Sequence, residues 1–138
     1  MIRLLAGAFL AMALASCDSP KSLLQDDDLQ RAARDTASLA MESSLLVEQI
    51  RQGSVEPNYV WVHQQALQEE SRKAGEPLHK LAPAALRERQ QQVIAVSDGL
   101  SAALEQAPLA TADAGELDRL TQVFSKIGAR AKALKGGK

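Results

Sequence analysis

Apolar and small side chains recur at alternating steps of three and four residues over much of the chain. In the first such segment they occupy Leu29, Ala32, Thr36, Leu39, Ser43, Leu46 and Ile50. This spacing places them on one face of an α-helix. Ser22 is a suitable N-cap, and Gly53 suits the position after a helix, where the left-handed conformation is common. The pattern therefore predicts a first helix between these two residues.

A second helix is predicted to begin at Pro57, because proline suits the first helical position, and to continue to about residue 74. Gly75, Glu76 and Pro77 then indicate either the end of this helix or a kink, since proline lacks an amide donor and restricts the residue before it. Residues 78–82 fit a further helical turn or a connector equally well. The pattern leaves open whether the middle of the chain is broken there.

The second half of the chain predicts two more helices. The third helix is expected to start at Pro83 and end before Pro108, with its apolar positions at Leu86, Val93, Ile94, Leu100, Ala103 and Leu104. Asp113 and Glu116 have the spacing of a capping box for the fourth helix. The apolar positions of that helix are Leu117, Leu120, Phe124, Ile127, Ala131 and Leu134.

Four amphipathic helices with short connections predict an all-α fold, an antiparallel up-down helical bundle. The alternative is a bundle of three helices in which the middle helix is bent. Composition agrees with a helical fold, because Ala, Leu, Gln, Glu and Arg favour helices. The chain has 16 basic and 17 acidic residues. Since domains that bind nucleic acid carry a strong basic excess, nucleic acid is not an expected partner.

The N-terminus differs in composition from the rest of the chain. Arg3 supplies a positive charge, and residues 4–14 form an uncharged apolar run. This run is well short of the about 20 apolar residues that cross a bilayer. A basic start, a short apolar run and small residues after it are typical of a secretory signal peptide. The alternative is a buried N-terminal helix.

The residues that end this segment resemble the lipobox of bacterial lipoproteins: Leu14, Ala15, Ser16 and Cys17. In that family the cysteine thiol carries a lipid and the chain is cleaved just before it. The resemblance implies that residues 1–16 are a signal peptide that is removed, that residues 17–21 are a lipidated tether, and that residues 22–138 form the helical domain. Cys17 is the only cysteine, and lipidation accounts for an unpaired cysteine in an exported protein.

The resemblance also bears on location. Lipid on Cys17 would hold the protein to a membrane without a transmembrane helix. In lipoproteins of enteric-type bacteria, an Asp after the cysteine is similar to an inner-membrane retention signal, and Asp18 stands there. The resemblance therefore implies the periplasmic side of the cell membrane, and it favours the inner over the outer membrane. A plain secretory signal cleaved elsewhere is the alternative.

Residues 56–65 hold the only Tyr, the only Trp and one of the two His of the chain. At 100° per residue, Val60 points into the bundle, Tyr59 and Trp61 fall on opposite flanks, and Val62 points outward. One interpretation is that the aromatic rings seal the end of the bundle. The other is a partner-binding site formed by Tyr59, Trp61 and Val62, since Trp and Tyr are enriched at interface hot spots. That site would lie far from the lipid.

No motif in the sequence indicates catalysis, a metal or a cofactor. His63 and His79 are far apart in the chain and lack neighbouring ligands, so no metal site is predicted. The haem attachment motif C-x-x-C-H is absent, and Met41 is expected in the core. No catalytic residue is predicted, because no nucleophile and base occur in a known arrangement.

These observations predict a membrane-anchored, non-catalytic lipoprotein of the cell envelope that binds another envelope protein through its helical bundle. The alternative function is binding of a small molecule between the helices. Polar residues on otherwise apolar stripes would line such a pocket: Ser43, His63 and Ser71.

Overall fold

A computed structural model describes residues 22–136 of the 138-residue chain. Within that range the backbone forms four α-helices and three short 3-10 turns, with no β-strand. The helices are α1 (Asp26–Arg51), α2 (Pro57–Gly75), α3 (Arg87–Gln106) and α4 (Ala114–Lys135). The 3-10 turns span Glu76–His79, Ala84–Leu86 and Leu109–Thr111. The predicted all-α bundle of four helices is confirmed, and the three-helix alternative is wrong.

The four helices run antiparallel in chain order around two groups of buried side chains. At the N-terminal end of the bundle, where α1 begins, Leu29 packs with Leu78 from the turn after α2 and with Val93 from the start of α3. At the far end, where α2 begins, the end of α1 packs with the starts of α2 and α4 and with the end of α3. The buried residues there include Leu46, Val47, Val60, Leu104, Leu120 and Phe124.

Helix α1 is the centre of the bundle. It contacts each of the other three helices, and its packing against α4 is the most extensive. Small side chains make this close approach possible. A Cβ atom built on Gly128 of α4 would lie 3.6 Å from the Cβ of Ala40, which is ordinary van der Waals contact. Because α1 faces three neighbours, it buries more of its surface than the single predicted stripe.

The prediction that Ser22 caps the first helix is wrong. Residues 22–25 have no regular secondary structure, and the N-cap is Gln25, whose backbone amide donates to Oδ2 of Asp28 at 3.0 Å. Leu24 in this segment is buried, and its backbone amide donates to the carbonyl of Leu81 at 2.9 Å. The amide of Gln25 and the ammonium of Lys80 hold the pKa of Asp28 below its usual value. The chain therefore pairs with the connector after α2 before it turns into α1.

The other predicted helix boundaries differ only slightly from the structure. Gly53 follows α1 with φ of 66°, the left-handed conformation expected of it. Asp113 caps α4 by accepting from the amide of Glu116 at 2.9 Å, but the Glu116 carboxylate pairs with Arg119 instead of completing a capping box. Pro83 precedes a 3-10 turn and does not start α3 itself.

The chain between α2 and α3 is a defined connector. Helix α2 ends at Gly75 and continues as the 3-10 turn Glu76–His79, so the predicted interruption at this point is an end and not a kink. Leu78 of this connector is buried and packs among the side chains at the N-terminal end of the bundle. The side-chain amide of Gln90 donates to the carbonyls of Leu78 and Lys80 at 2.8 and 2.9 Å, which fastens the connector to α3.

Candidate functional site

The first half of α2 carries no charged side chain. Residues 57–68 contain no Lys, Arg, Asp or Glu, whereas residues 69–76 contain five of them. In the second half of the helix these charges pair with one another, as Arg72 does with Glu69 at 2.8 Å. Charged side chains are depleted at the centres of protein interfaces. The uncharged half of α2 is therefore the part of the helix that can best be covered by another protein.

Three large side chains on this half of α2 are exposed. Trp61 is 57% exposed, Val62 is 53% exposed and Tyr59 is 46% exposed, whereas Val60 between them is buried. We call Tyr59, Trp61 and Val62 the aromatic patch. Both rings stand about half in solvent, so the interpretation in which they seal the end of the bundle does not describe the structure.

Tyr59 is oriented by the next turn of its own helix. Its hydroxyl oxygen lies 3.2 Å from Nδ1 of His63, and the two ring centroids are 5.5 Å apart. This contact restricts the rotamers of an exposed ring. A side chain that is already ordered loses less conformational entropy when a partner covers it.

Two glutamines fix the patch-bearing half of α2 against α3. Gln64 is buried, and its amide nitrogen donates to the carbonyls of Leu104 and Ala107 at 2.6 and 2.8 Å. Gln68, one turn further, donates to Leu104 at 2.9 Å. These carbonyls end α3, where backbone acceptors lack partners within the helix. No role was predicted for this pair, although two glutamines spaced by four along one helix face are a usable signal.

The residues predicted to line a small-molecule pocket make three separate hydrogen bonds. The Ser43 hydroxyl donates to the carbonyl of Leu39 in its own helix at 2.7 Å. The Ser71 hydroxyl lies 2.7 Å from the hydroxyl of Ser101 on α3. His63 contacts Tyr59 on the surface. The structure thus engages each of these polar groups locally and does not direct them towards one ligand.

The structure describes four more exposed large apolar side chains. Met41, which was expected in the core, is 53% exposed because it lies beside the stripe that α1 buries. Leu45 is exposed one turn further along α1. Leu23 and Leu81 are exposed together at the N-terminal end of the bundle. None of these four lies in a charge-free helical segment like that of the aromatic patch.

Metal ligation and membrane spanning find no support in the part of the chain that the structure describes. Residues 22–136 contain no group of three or more His, Cys, Asp or Glu side chains placed to hold a metal ion. In the same range no helix is both long enough and apolar enough to cross a membrane. The predicted lipidation residue Cys17 and sorting residue Asp18 lie outside the described residues.

No family model, curated protein or solved structure matches this chain. The assignment of a site therefore depends on the exposure, composition and support of the side chains themselves. On those criteria the aromatic patch is the best candidate within residues 22–136.

Proposed function

We propose that this protein is a lipid-anchored lipoprotein of the bacterial cell envelope, and that its helical bundle binds another envelope protein through Tyr59, Trp61 and Val62. One observation carries the binding proposal: three exposed large side chains lie in a helical segment without any charge. The proposed role is non-catalytic and requires no cofactor. The membrane and one envelope protein are the proposed partners.

The size of these side chains makes the aromatic patch energetically useful. Aromatic residues bury about 150–250 Å² each when covered, and each Å² of apolar area is worth roughly 25 cal/mol. Trp61 is the largest of the three and is about half exposed. A partner that covers the exposed half would gain binding free energy on the order of 2 kcal/mol. A value of that size is typical of an interface hot spot.

The position of the patch suits a protein that is anchored at Cys17. Helix α1 runs for 26 residues from the N-terminal end of the bundle to the far end. At 1.5 Å per residue its length is about 39 Å. The aromatic patch lies just after the turn that follows α1, so a bundle held by its N-terminus would present the patch well away from the lipid.

The anchor itself is proposed from the lipobox at residues 14–17. One acyl chain holds a protein to a bilayer only weakly, whereas two or more hold it stably, at about 0.8 kcal/mol per buried CH₂. Asp18 supports the periplasmic face of the inner membrane. Mass spectrometry of the N-terminal peptide tests this directly, because a lipid on Cys17 adds the mass of its acyl chains. A mature N-terminal peptide that begins at another residue, or that begins at Cys17 without the mass of acyl chains, would contradict the anchor.

The binding proposal is tested by crosslinking from the patch in living cells. A photo-crosslinking amino acid at Val62 should join the protein to one envelope protein, which mass spectrometry identifies. The matched control places the same amino acid at Leu45, which is 58% exposed on α1 and lies outside the patch. Equal capture of the same protein from both positions would mean that the patch has no special role.

The identified protein then allows a quantitative test. Trp61→Ala should weaken its binding by about 30-fold or more, the effect of losing a hot spot worth about 2 kcal/mol. The same variant should lower the free energy of unfolding by at most about 2 kcal/mol, because only about half of the ring is covered in the free protein. Unchanged affinity would contradict the proposal. A small molecule that co-purifies with the bundle and raises its melting temperature would favour the alternative function instead.

A further inference from the structure

Two leucines stand in solvent at the N-terminal end of the bundle. Leu81 is 73% exposed, more than any other large apolar side chain that the structure describes, and Leu23 is 51% exposed. Together they border an open groove of about 530 Å³. We call it the leucine groove, and its other lining residues are Ser22, Glu76, His79 and Lys80.

The backbone holds the two leucines next to each other. Leu23 is exposed, whereas its neighbour Leu24 is buried. The amide of Leu24 donates to the carbonyl of Leu81, which brings the connector against residues 22–25. Exposure of both leucines therefore follows from ordered backbone geometry.

We infer that the leucine groove docks on the surface of the lipid bilayer. The inference depends on the proposed acylation of Cys17, which brings a bilayer close to this end of the bundle. At about 3.5 Å per residue, the extended chain from Cys17 to Leu23 spans at most about 20 Å. The nearest apolar medium to these two leucines is therefore the membrane in which the lipid is inserted.

The charges at this end of the bundle are of both signs, and most of them are paired, although Asp27 is exposed in the first turn of α1. Glu76 lines the groove and pairs with Arg72, and Lys80 pairs with Asp28 at 3.3 Å. The exposed side chains of Lys132 and Lys135 lie near the end of α4. This end of α4 is beside the start of α1, because Leu134 packs among the buried residues there. Lysines near a bilayer are attracted to anionic headgroups.

A second copy of the chain is a less suitable occupant. A stable protein interface buries about 800 Å² on each partner. Two leucine side chains in an open groove supply only a small part of that area. Docking on the bilayer needs no such area, because the acyl chains already hold the protein there, and the leucines need only fix its orientation.

The inference is tested with lipidated full-length protein in vesicles of phosphatidylethanolamine and phosphatidylglycerol that carry brominated acyl chains. Bromine quenches an indole that reaches the acyl region. Trp61 is the only tryptophan, so the variant Trp61→Phe, Leu81→Trp moves the single indole to the leucine groove. The matched control is Trp61→Phe, Leu45→Trp, since Leu45 is also exposed but lies about 30 Å further along α1 at 1.5 Å per residue.

Bromine should quench the indole at position 81 severalfold more strongly than the indole at position 45, and Trp61 of the unaltered protein should resemble the latter. Equal quenching at both positions, in protein that floats with the vesicles, overturns docking while the lipid anchor stands. A blue-shifted indole at position 81 that bromine does not quench, in protein that a chemical crosslinker joins into dimers, also overturns docking. That result would assign the groove to self-association. If the purified full-length protein carries no lipid at Cys17 and does not float with the vesicles, both the anchor and the docking that depends on it are overturned.

Discussion

The buried amide of Gln64 offers a sharp test of how the bundle is held together. Its nitrogen donates to the carbonyls of Leu104 and Ala107, at 2.6 and 2.8 Å, where α3 ends. The variant Gln64→Glu keeps the size and shape of the side chain but replaces the donor by an acceptor. At pH 7 the new carboxylate would face two carbonyl oxygens, and no hydrogen would lie between them. We expect this single atom exchange to destabilise the protein strongly.

The magnitude follows from the two ways in which the variant can respond. The new carboxylate can rotate away and leave the carbonyl of Ala107 without a donor, which costs about 1–3 kcal/mol of stability for a buried group. The carbonyl of Leu104 would still accept from Gln68. The carboxylate can instead bind a proton and donate from the carboxyl. Protonating a carboxyl with an ordinary pKa of about 4.3 costs about 3.7 kcal/mol at pH 7 and about 1 kcal/mol at pH 5. Because the folded variant takes the less costly response, the loss at pH 7 should be between about 1 and 4 kcal/mol.

The sign of the pH dependence follows from the same geometry. Burial against two acceptors favours the protonated carboxyl, so its pKa in the folded protein is raised above the unfolded value. The variant is then most stable relative to the parent below the unfolded pKa, and it loses stability as pH rises through the folded pKa. Between pH 7 and pH 5 it should regain stability relative to a control, by up to about 2.7 kcal/mol, the limit for binding one proton over two pH units.

The assay is urea denaturation followed by circular dichroism at both pH values. The matched control is Gln65→Glu, because Gln65 is the neighbouring residue on α2 and its side chain is exposed. The same net charge change then occurs in solvent, and subtraction isolates the buried site. If Gln64→Glu unfolded within about 0.5 kcal/mol of Gln65→Glu at pH 7, the hydrogen bonds from Gln64 to the end of α3 would not contribute as we reason.

Two further predictions concern glycine packing and the exposed indole. Gly75→Ala should destabilise the bundle by about 1 kcal/mol, because the new Cβ would lie 3.0 Å from the Ser97 hydroxyl oxygen. Gly128→Ala should instead stabilise the bundle by about 0.5–1 kcal/mol, because alanine has the higher helix propensity and its Cβ has room there. Urea denaturation checks both, and equal stability of the two variants would contradict the close approach at Gly75. Trp61 should show red-shifted fluorescence that acrylamide quenches readily, and a protected, blue-shifted spectrum would contradict its exposure.

Helical periodicity sufficed to predict the four helices and their order, because each apolar stripe is long and regular. It did not predict how much of α1 is buried. Ala33 and Ala37 pack inside although they lie beside the predicted stripe. Alanine occurs on both faces of helices, so its burial depends on the neighbouring elements that the fold brings against it. Met41 was misplaced for the related reason that a position beside a stripe can face either a neighbour or solvent.

The candidate site was predictable in part. Helical geometry alone turns Val62 outward once Val60 is inside, as the structure shows. The exposure of Trp61 was not decidable from sequence, because a flanking ring can be covered by a neighbouring element. The exposure of Leu81 was beyond prediction for another reason. It depends on a pairing between residues 22–25 and the connector that no local pattern encodes.

The aromatic patch lies at the start of α2, and Gln64 and Gln68 follow on the next turns of the same helix. An exposed side chain contributes to binding only what remains after the cost of ordering it. The hydrogen bonds from Gln64 and Gln68 fix these turns on the end of α3, so the backbone beneath Trp61 is already ordered in the free protein. Gln64→Glu should therefore weaken partner binding as well as stability, although Gln64 is buried beneath the patch. Gln65→Glu places a charge beside the patch without loosening it, so comparing the two variants separates loss of support from the introduction of a charge.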